Sequence, residues 1–312
     1  MKKIAVLGAN PAWQKTLCFD SFQPGKVNRA ISLAEFASGK GINFCRAAMI
    51  CGKSQPVLFQ FAGKENGKRL IDSLNELGIK HISVKTATPT RCCTTILSAE
   101  NNSTTECIEP SYAVSSEEAD LLLRQAEDMI PKCSIAAICG SLPGKTDFSV
   151  YSRFAEIAKT NDILLLVDAV NGLDGMLKTQ CRMHLKVNKD ELFQITGIND
   201  IKSALKQLFS DIPSLATAAI TDGAEKSFAS DGKTLFVYDI PKLDSIVSTL
   251  GCGDTASAVY CSFLADGTAF ETAFRKALAA ACANCLTPLC GEYLPAEADR
   301  IEQQIYCTSE KL

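Results

Sequence analysis

Apolar residues in this chain fall into short unbroken or alternating runs, the period of a strand, and into longer stretches with apolar positions three and four apart, the period of a helix. The first run, Lys3 to Gly8, ends in Gly-Ala-Asn-Pro, as expected of a strand buried on both faces whose carboxyl end opens onto a site. Two segments of mixed polarity follow, Thr16 to Asp20 and Val27 to Ala34, separated by the turn Gln23-Pro24-Gly25; they predict a hairpin outside the main sheet. The glycine-rich stretch Ser38 to Asn43 opens a helix through about Cys51, with Phe44, Ala47, Ala48 and Cys51 on one apolar face. A strand at Val57 to Phe61, a helix at Glu65 to Leu77 ended by Gly78, and a strand at His81 to Lys85 come next. Arg91 to Ser98 and Thr104 to Ile108 alternate around the polar turn Asn101-Asn102-Ser103 and predict a second hairpin, which with the first would make a small sheet over the site.

From there helix and strand alternate: a helix near Ser116 to Met129, a strand Ser134 to Cys139, a helix Phe148 to Lys159, a buried strand Ile163 to Val167, then strands Met183 to Val187 and Leu215 to Ile220 with two helices between them. Lys226 to Ala229 and Thr234 to Val237 form a late hairpin around Asp231-Gly232, and helices near Thr255 to Leu264 and Ala269 to Leu286 close the fold. The pattern predicts one large α/β domain over residues 1–312, a mostly parallel sheet flanked by helices, with a small β lid built from two insertions at about 14–36 and 88–110.

Composition narrows the partners. The 312 residues are 46% apolar, enough to fill a sizeable core, and a net charge of -3 without any basic run gives no case for nucleic acid or a membrane surface. The apolar run after Met1 is too short for a secretory signal, and no run is long enough to span a membrane, so a cytoplasmic enzyme is expected. Fifteen cysteines scattered among alanines and isoleucines read as reduced, small apolar residues. Cys282, Cys285 and Cys290 have metal-like spacing at their start but no second pair or nearby histidine, and they read, like the vicinal Cys92-Cys93, as thiols.

The stretch Thr249 to Ala258 carries the chemistry. Gly251 and Gly253 leave the first amides of a helix unshielded, where unpaired N–H groups and the helix dipole favour an anion, and Asp254 stands beside them as a proton acceptor. The same residues also suit a plain capped turn. In a parallel sheet ligands bind beyond the carboxyl ends of the strands, and polar residues stand there repeatedly: Asn10, Gly140-Ser141-Leu142-Pro143-Gly144, Asp168, Asn188 to Glu191, and Thr221-Asp222-Gly223.

Gly39-Lys40-Gly41-Ile42-Asn43 and Gly251-Cys252-Gly253-Asp254 resemble the two signatures of the ribokinase-like sugar kinases, and Gly140-Ser141-Leu142-Pro143, Asn188-X-X-Glu191 and Thr221-Asp222-Gly223 fall in that family's order over nearly the whole chain. Within it, Asn10-Pro11-Ala12, Val27-Asn28-Arg29, Thr90-Arg91 and Glu109-Pro110 are most similar to the phosphofructokinase B branch, which contains 1-phosphofructokinases and tagatose-6-phosphate kinases. The resemblance implies a ribokinase-like three-layer α/β fold and ATP- and Mg²⁺-dependent phosphoryl transfer to a hydroxyl of a phosphorylated ketohexose. It implies Asp254 as general base and the amides of Gly251, Cys252, Gly253 and Asp254 as an anion hole; such a base need not have a raised pKa, since the hydroxyl becomes acidic only late in the transfer.

On the nucleotide side the resemblance implies Lys186, Thr221, Gly223 and Asn284, the last beside the adenine. Asn188 and Glu191, three apart at a helix start, would serve the Mg²⁺ water network, although that spacing is equally a capping box. On the acceptor side Arg29, Lys40 and Arg91 are candidates for a phosphate already on the sugar, against the commoner fate of solvated charge. Gly39, Gly41, Asn43 and Ser141 would meet the sugar, and Gln14 replaces an acid usual in the branch. Ser38, Val187 and Cys252 are further departures, replacing glycine, proline and alanine. Two rival readings stand beside this one: a kinase of an unphosphorylated sugar or nucleoside, and a sugar- or nucleotide-binding regulator without catalysis. The exposed edges of the lid predict a homodimer.

Overall fold

In the computed structural model, which describes residues 1–101 and 103–312, the first apolar run is strand β1 (Lys2–Leu7), followed by β2 (Ala12–Phe19), β3 (Ser32–Ser38) and helix α1 (Lys40–Cys51). Then come β4 (Ser54–Gly63), α2 (Lys64–Glu76), β5 (Lys80–Thr86), β6 (Arg91–Ser98) and β7 (Ser103–Ile108). The alternation continues through α3 (Ser116–Met129), β8 (Ile135–Cys139), α4 (Ser149–Thr160), β9 (Leu165–Asp168), α5 (Leu173–Lys178) and β10 (Met183–Asn188). After α6 (Lys189–Thr196), α7 (Ile201–Asp211) and β11 (Leu215–Thr221) stand β12 (Lys226–Ser230), β13 (Thr234–Asp239), α8 (Cys252–Ala265), α9 (Phe270–Asn284), α10 (Pro295–Glu302) and β14 (Tyr306–Lys311).

Among the described residues ten strands form one sheet in the order β14-β13-β12-β11-β10-β9-β8-β1-β4-β5. From β11 to β5 every pairing is parallel, and β12, β13 and β14 extend the other edge antiparallel. The unbroken apolar character of β1 now has its cause. Ala5 and Leu7 belong to the core under α3, α4, α5, α6 and α7, while Ile4 and Val6 belong to the core under α1, α2, α8, α9 and α10. The sheet is therefore covered on both faces, giving the three-layer ribokinase-like architecture, and the polar strand ends gather along one rim.

The two insertions meet as expected, in a four-stranded sheet of order β3-β2-β6-β7. Its centre is the parallel pair β2 and β6, whose register sets Ala12 opposite Arg91 and so carries that arginine to the rim beside Asn10. The structure departs from the sequence reading most in one strand's bounds and in three elements which that reading did not give, α5, α10 and β14. The strand expected at Val27 to Ala34 lies at Ser32–Ser38 instead, because the Asn28 side chain clamps the loop, accepting from the Gln23 amide at 2.9 Å and donating to the carbonyls of Gln23 and Lys26 at 2.9 and 3.0 Å. Helix α10 and strand β14 were not anticipated, since the polar, exposed residues of β14 carry no strand period and pair only through the backbone of β13. Within the expected turn Asn101-Asn102-Ser103, Asn102 lies outside the described residues. All fifteen cysteines are free thiols, and no helix among the described residues is long and apolar enough to cross a membrane.

Candidate active site

The start of α8 is shaped by glycine. Gly251 takes φ 80°, and a Cβ there would come within 2.7 Å of the Cys290 side chain and 2.9 Å of its Cα, so both conformation and space demand glycine. The first intrahelical bond runs from the Thr255 amide to the Gly251 carbonyl at 2.9 Å, which leaves the earlier amides of α8 free of helix partners. The Lys186 ammonium stands 3.3 Å from where a Cβ on Gly253 would be. Amides, dipole and cation thus converge on one point, an anion site.

Asp254, 8% exposed, follows at the same helix start. Its Oδ2 accepts from the Asn43 amide nitrogen at 2.8 Å, and Ser38 donates to Asn43 Oδ1 at 3.3 Å. The serine that replaces a glycine of the first signature therefore helps orient the amide so that its NH₂ faces the carboxylate. Burial raises the Asp254 carboxyl to about 6, helped by the nearby Asp168 charge and opposed by Lys40, the Asn43 hydrogen bond and Lys186. The raise, which a base of this kind does not require, arises because the side chain is nearly removed from water.

Asp168, at the end of β9, ties the two signatures together. Its Oδ1 accepts from Lys40 Nζ at 2.9 Å and its Oδ2 from Ser257 Oγ at 2.5 Å, with Lys186 Nζ 3.7 Å from Oδ2. Burial alone would raise the Asp168 carboxyl, yet the two lysines and the hydroxyl hold it below its ordinary value. Burial of Lys40 works in the opposite direction to Asp168 and Asp254, and the two carboxylates prevail, keeping the ammonium charged. Sequence reasoning placed Asp168 on the rim without giving it a role, and it passed over Ser257. Their pairing spans 89 residues and leaves no local signal beyond a carboxylate at a strand end.

Two clefts flank this centre. One, of about 340 Å³, is lined by Asn10, Lys40, Gly41, Arg91, Ser141 and Glu191 among others. Arg91 donates to the Asn10 carbonyl at 3.3 Å while its buried Nε has no partner among the described residues, and Asn10 donates to Ser141 Oγ at 3.1 Å. Gly39, at φ 116° against Pro11, and Gly41, against Gly8, let α1 begin at this wall. The other cleft, of about 430 Å³, is lined by Thr221, Gly223, Cys252 and Gly253 at one end and by Leu243, Ile246, Leu278 and Ala281 along its walls. Ser227, unremarked in the sequence, also lines it, and its buried hydroxyl has no partner among the described residues. Asp254 itself lines neither cleft, but its chain neighbour Gly253 lines one, and Lys40, whose charge acts on Asp254, lines the other.

Several expected residues stand elsewhere. Asn284 is fully buried; it accepts from Thr255 Oγ1 at 3.0 Å and donates to Thr287 Oγ1 and the carbonyls of Leu289 and Glu292, so it fastens the loop after α9 and does not face an adenine. Gln14 is buried in the lid, donating to Thr95 Oγ1 at 2.8 Å and to the Lys15 carbonyl, and does not line the acceptor-side cleft. Arg29 is exposed on the loop between β2 and β3, away from both clefts. Asn188 and Glu191 form the reciprocal capping box of α6, each side chain bonded to the other's backbone amide at 2.8 Å; this engages one carboxylate oxygen of Glu191 while its side chain still lines the acceptor-side cleft.

An anion site at a helix start, a buried carboxylate beside it, a cationic cleft on one side and a largely apolar slot on the other are the parts of a phosphoryl-transfer enzyme. Residues 1–297 match the pfkB family carbohydrate kinase model, and the chain belongs to that family of kinases. It is 26% identical over 311 residues to a tagatose-6-phosphate kinase of Staphylococcus epidermidis, with 97% of this chain and 98% of the relative covered. In fold it is similar to phosphofructokinase-2 of Escherichia coli in complex with fructose-6-phosphate (TM-score 0.88, 20% identity, 97% of this chain and 99% of that one covered). It is likewise similar to a Thermotoga maritima protein described as a possible 1-phosphofructokinase (TM-score 0.86, 18% identity, 99% of each chain covered).

The raised Asp254 carboxyl makes a stability prediction. A group whose pKa climbs from 3.8 to about 6 on folding holds its proton more tightly in the folded state. Well below pH 3.8 it is neutral in both states and costs nothing; the cost of burying its charge grows between about pH 4 and 6 and is complete above pH 6. Asp254→Asn is expected to raise thermal stability at pH 7.5, by about 3 kcal/mol as an upper bound, with the two melting curves converging near pH 4. Equal melting temperatures at pH 7.5 would refute the electrostatic assignment.

Proposed function

We propose that this carbohydrate kinase uses ATP and Mg²⁺ to phosphorylate a hydroxyl of an already phosphorylated ketohexose, such as fructose 1-phosphate, fructose 6-phosphate or tagatose 6-phosphate. The observation that carries the reading is the buried Asp254 carboxylate between residues of the two clefts, next in the chain to Gly253 of one and under the charge of Lys40 from the other. The slot with apolar walls fits the base of ATP, and the amides of Gly251 to Asp254 with Lys186 suit its phosphates. The acceptor hydroxyl would lie against Asp254, which takes its proton while the amides stabilise the charge on the transferring group. A pKa of about 6 keeps this base ionised at neutral pH yet closer to its task than an ordinary carboxylate.

The donor set is compatible with Mg²⁺. Glu191 keeps one carboxylate oxygen outside the capping box, and oxygen ligands suit this hard cation. Held by Glu191 and Asn188 through water, the ion would neutralise phosphate charge. Arg91 and Lys40 in the acceptor-side cleft favour a substrate that brings its own phosphate, and the tagatose-6-phosphate kinase relative supports that class. The lid and its loop leave Val27, Ile31 and Leu33 each more than half exposed, apolar surface that a second copy would cover. This reading includes one domain with a lid and a cytoplasmic location.

Three outcomes are expected. Asp254→Ala should lower kcat roughly 10²- to 10⁴-fold, and the wild-type kcat/KM should fall on acidification with an apparent pKa near 6; near-normal turnover in the variant would remove Asp254 as the base. Across a panel of sugars with and without phosphate, the phosphorylated ketohexoses should be turned over best, and Arg91→Ala should cost them about 1.5–3 kcal/mol in kcat/KM. Equal turnover of unphosphorylated sugars or nucleosides, or ATP consumption indifferent to added sugar, would favour one of the rival readings. Light scattering at micromolar concentration should give the mass of a dimer, and a monomer would leave the lid face without its proposed cover.

A further inference from the structure

Cys252 and Cys285 are 33 residues apart, yet their sulfurs stand 3.1 Å from each other. That is about 1 Å longer than a disulfide bond of roughly 2.05 Å. Both side chains are partly exposed and both line the nucleotide-side cleft, whereas Cys45, Cys139 and Cys261 are buried in the core. Cys252 is the first residue of α8, inside the amide loop of the anion site; Cys285 is the cap of α9. The Cys285 carbonyl also accepts from the amides of Val247 and Ser248 at 2.8 and 3.2 Å, so the segment leading into Gly251 already hangs from it.

We propose that Cys252 and Cys285 are an oxidisable dithiol, a modification site at the phosphate end of the nucleotide cleft where a small-molecule disulfide cross-links the start of α8 to the end of α9. The cleft admits such an oxidant from solvent, and the two sulfurs need approach by only about 1 Å to bond. In the resting pair the Cys252 thiol donates toward Cys285, which holds the Cys285 thiol below its ordinary value against the effect of burial. The Cys285 thiolate attacks one sulfur of the oxidant, whose S–S bond breaks and releases one thiolate. Cys252 then gives up its proton and attacks Cys285 Sγ, displacing the second thiolate. Two cysteines lose two electrons and two protons in total, and one disulfide of the oxidant is reduced to two thiols.

The bond pulls Cys252, and with it the amides beside Gly253, toward α9. A displacement on the order of 1 Å in a positioning group costs roughly a hundredfold in rate. The anion site is thereby mis-set, while the cleft of Asn10, Lys40 and Arg91, lined by neither cysteine, keeps its walls.

The test uses the full-length reduced protein incubated with oxidised glutathione, with and without ATP and magnesium chloride. Digestion and mass spectrometry should recover a peptide pair joined through Cys252 and Cys285, lighter by two hydrogens than the separate peptides. Saturating ATP should slow its formation at least tenfold, kinase activity should fall roughly a hundredfold, and dithiothreitol should restore it. Cys285→Ser, measured against its own starting activity, should lose none on the same treatment. The cross-link is read by mass alone, so it stands or falls whatever the sugar panel shows; only the protection by ATP rests on the nucleotide reading of the cleft. Failure to recover the joined pair, a stable glutathione adduct on either cysteine instead, pairing with Cys282, or indifference to ATP would each overturn the proposal.

Discussion

The hydrogen bond from Asn43 to Asp254 joins two helix starts that are 211 residues apart, and the working geometry depends on that contact. It forms because backbone packs against backbone around it. Gly291 lies so close to Asn43 that a Cβ would come within 2.4 Å of its carbonyl oxygen, Gly251 is wedged against Cys290, and Gly41 against Gly8. Arg46, one turn along α1, donates to the carbonyls of Cys290 at 2.6 Å and Ala37 at 3.2 Å, locking the same loop from below. Glycine is spent here on proximity more than on flexibility: side chains at these positions would push α1 and α8 apart and take the carboxylate away from its amide partner.

Around that contact the charges are arranged to balance. Asp168 is ion-paired with Lys40 at 2.9 Å, lies 3.7 Å from Lys186 and accepts from Ser257, whereas Asp254 accepts from Asn43 and feels the two lysines only at longer range. Burying such groups costs several kcal/mol per ion unless they are paired. The pairing is uneven, however. Asp168 has two lysines and a hydroxyl and is held well ionised, while Asp254 is left with its carboxyl raised to about 6. Two carboxylates in one cluster thus divide into one held ionised, which positions Lys40, and one that holds its proton more tightly, a division that environment alone produces.

The two clefts differ because they are built from different parts of the chain. Leu278 and Ala281 of α9 with Leu243 and Ile246 of the preceding loop make apolar walls for a flat group. The acceptor side is built from strand ends and from the lid, which supply Asn10, Ser141, Lys40 and Arg91. The parallel pairing of β2 with β6 is what places Arg91 there, since it sets the register between two insertions separated by most of the first half of the fold. Phosphoryl transfer needs such an asymmetry, one partner held by burial and the other by charge, with the reacting atoms confined between them.

The alternation of periods, the glycine-rich helix starts and the polar residues at strand ends were legible in the sequence itself, because periodicity and turn chemistry are local properties that burial on two faces enforces. They sufficed for one parallel α/β fold with a lid and for the helix start at Gly253; the resemblance to ribokinase-like kinases added the three-layer architecture and Lys40, Gly41, Arg91, Ser141, Thr221 and Gly223 as site residues. Only the tertiary structure decided the rest. Gln14 and Asn284 carry side chains that fit a ligand role in one dimension, but Thr95 claims the one and the loop at Thr287 to Glu292 claims the other. Asp168, Ser257 and Ser227 gained their places, and the Asp254 carboxyl its raised pKa, from neighbours tens of residues away. Local pattern determines which elements form and which residues end them; which polar group is already satisfied, and which is left free to act, depends on what packing brings within hydrogen-bond distance.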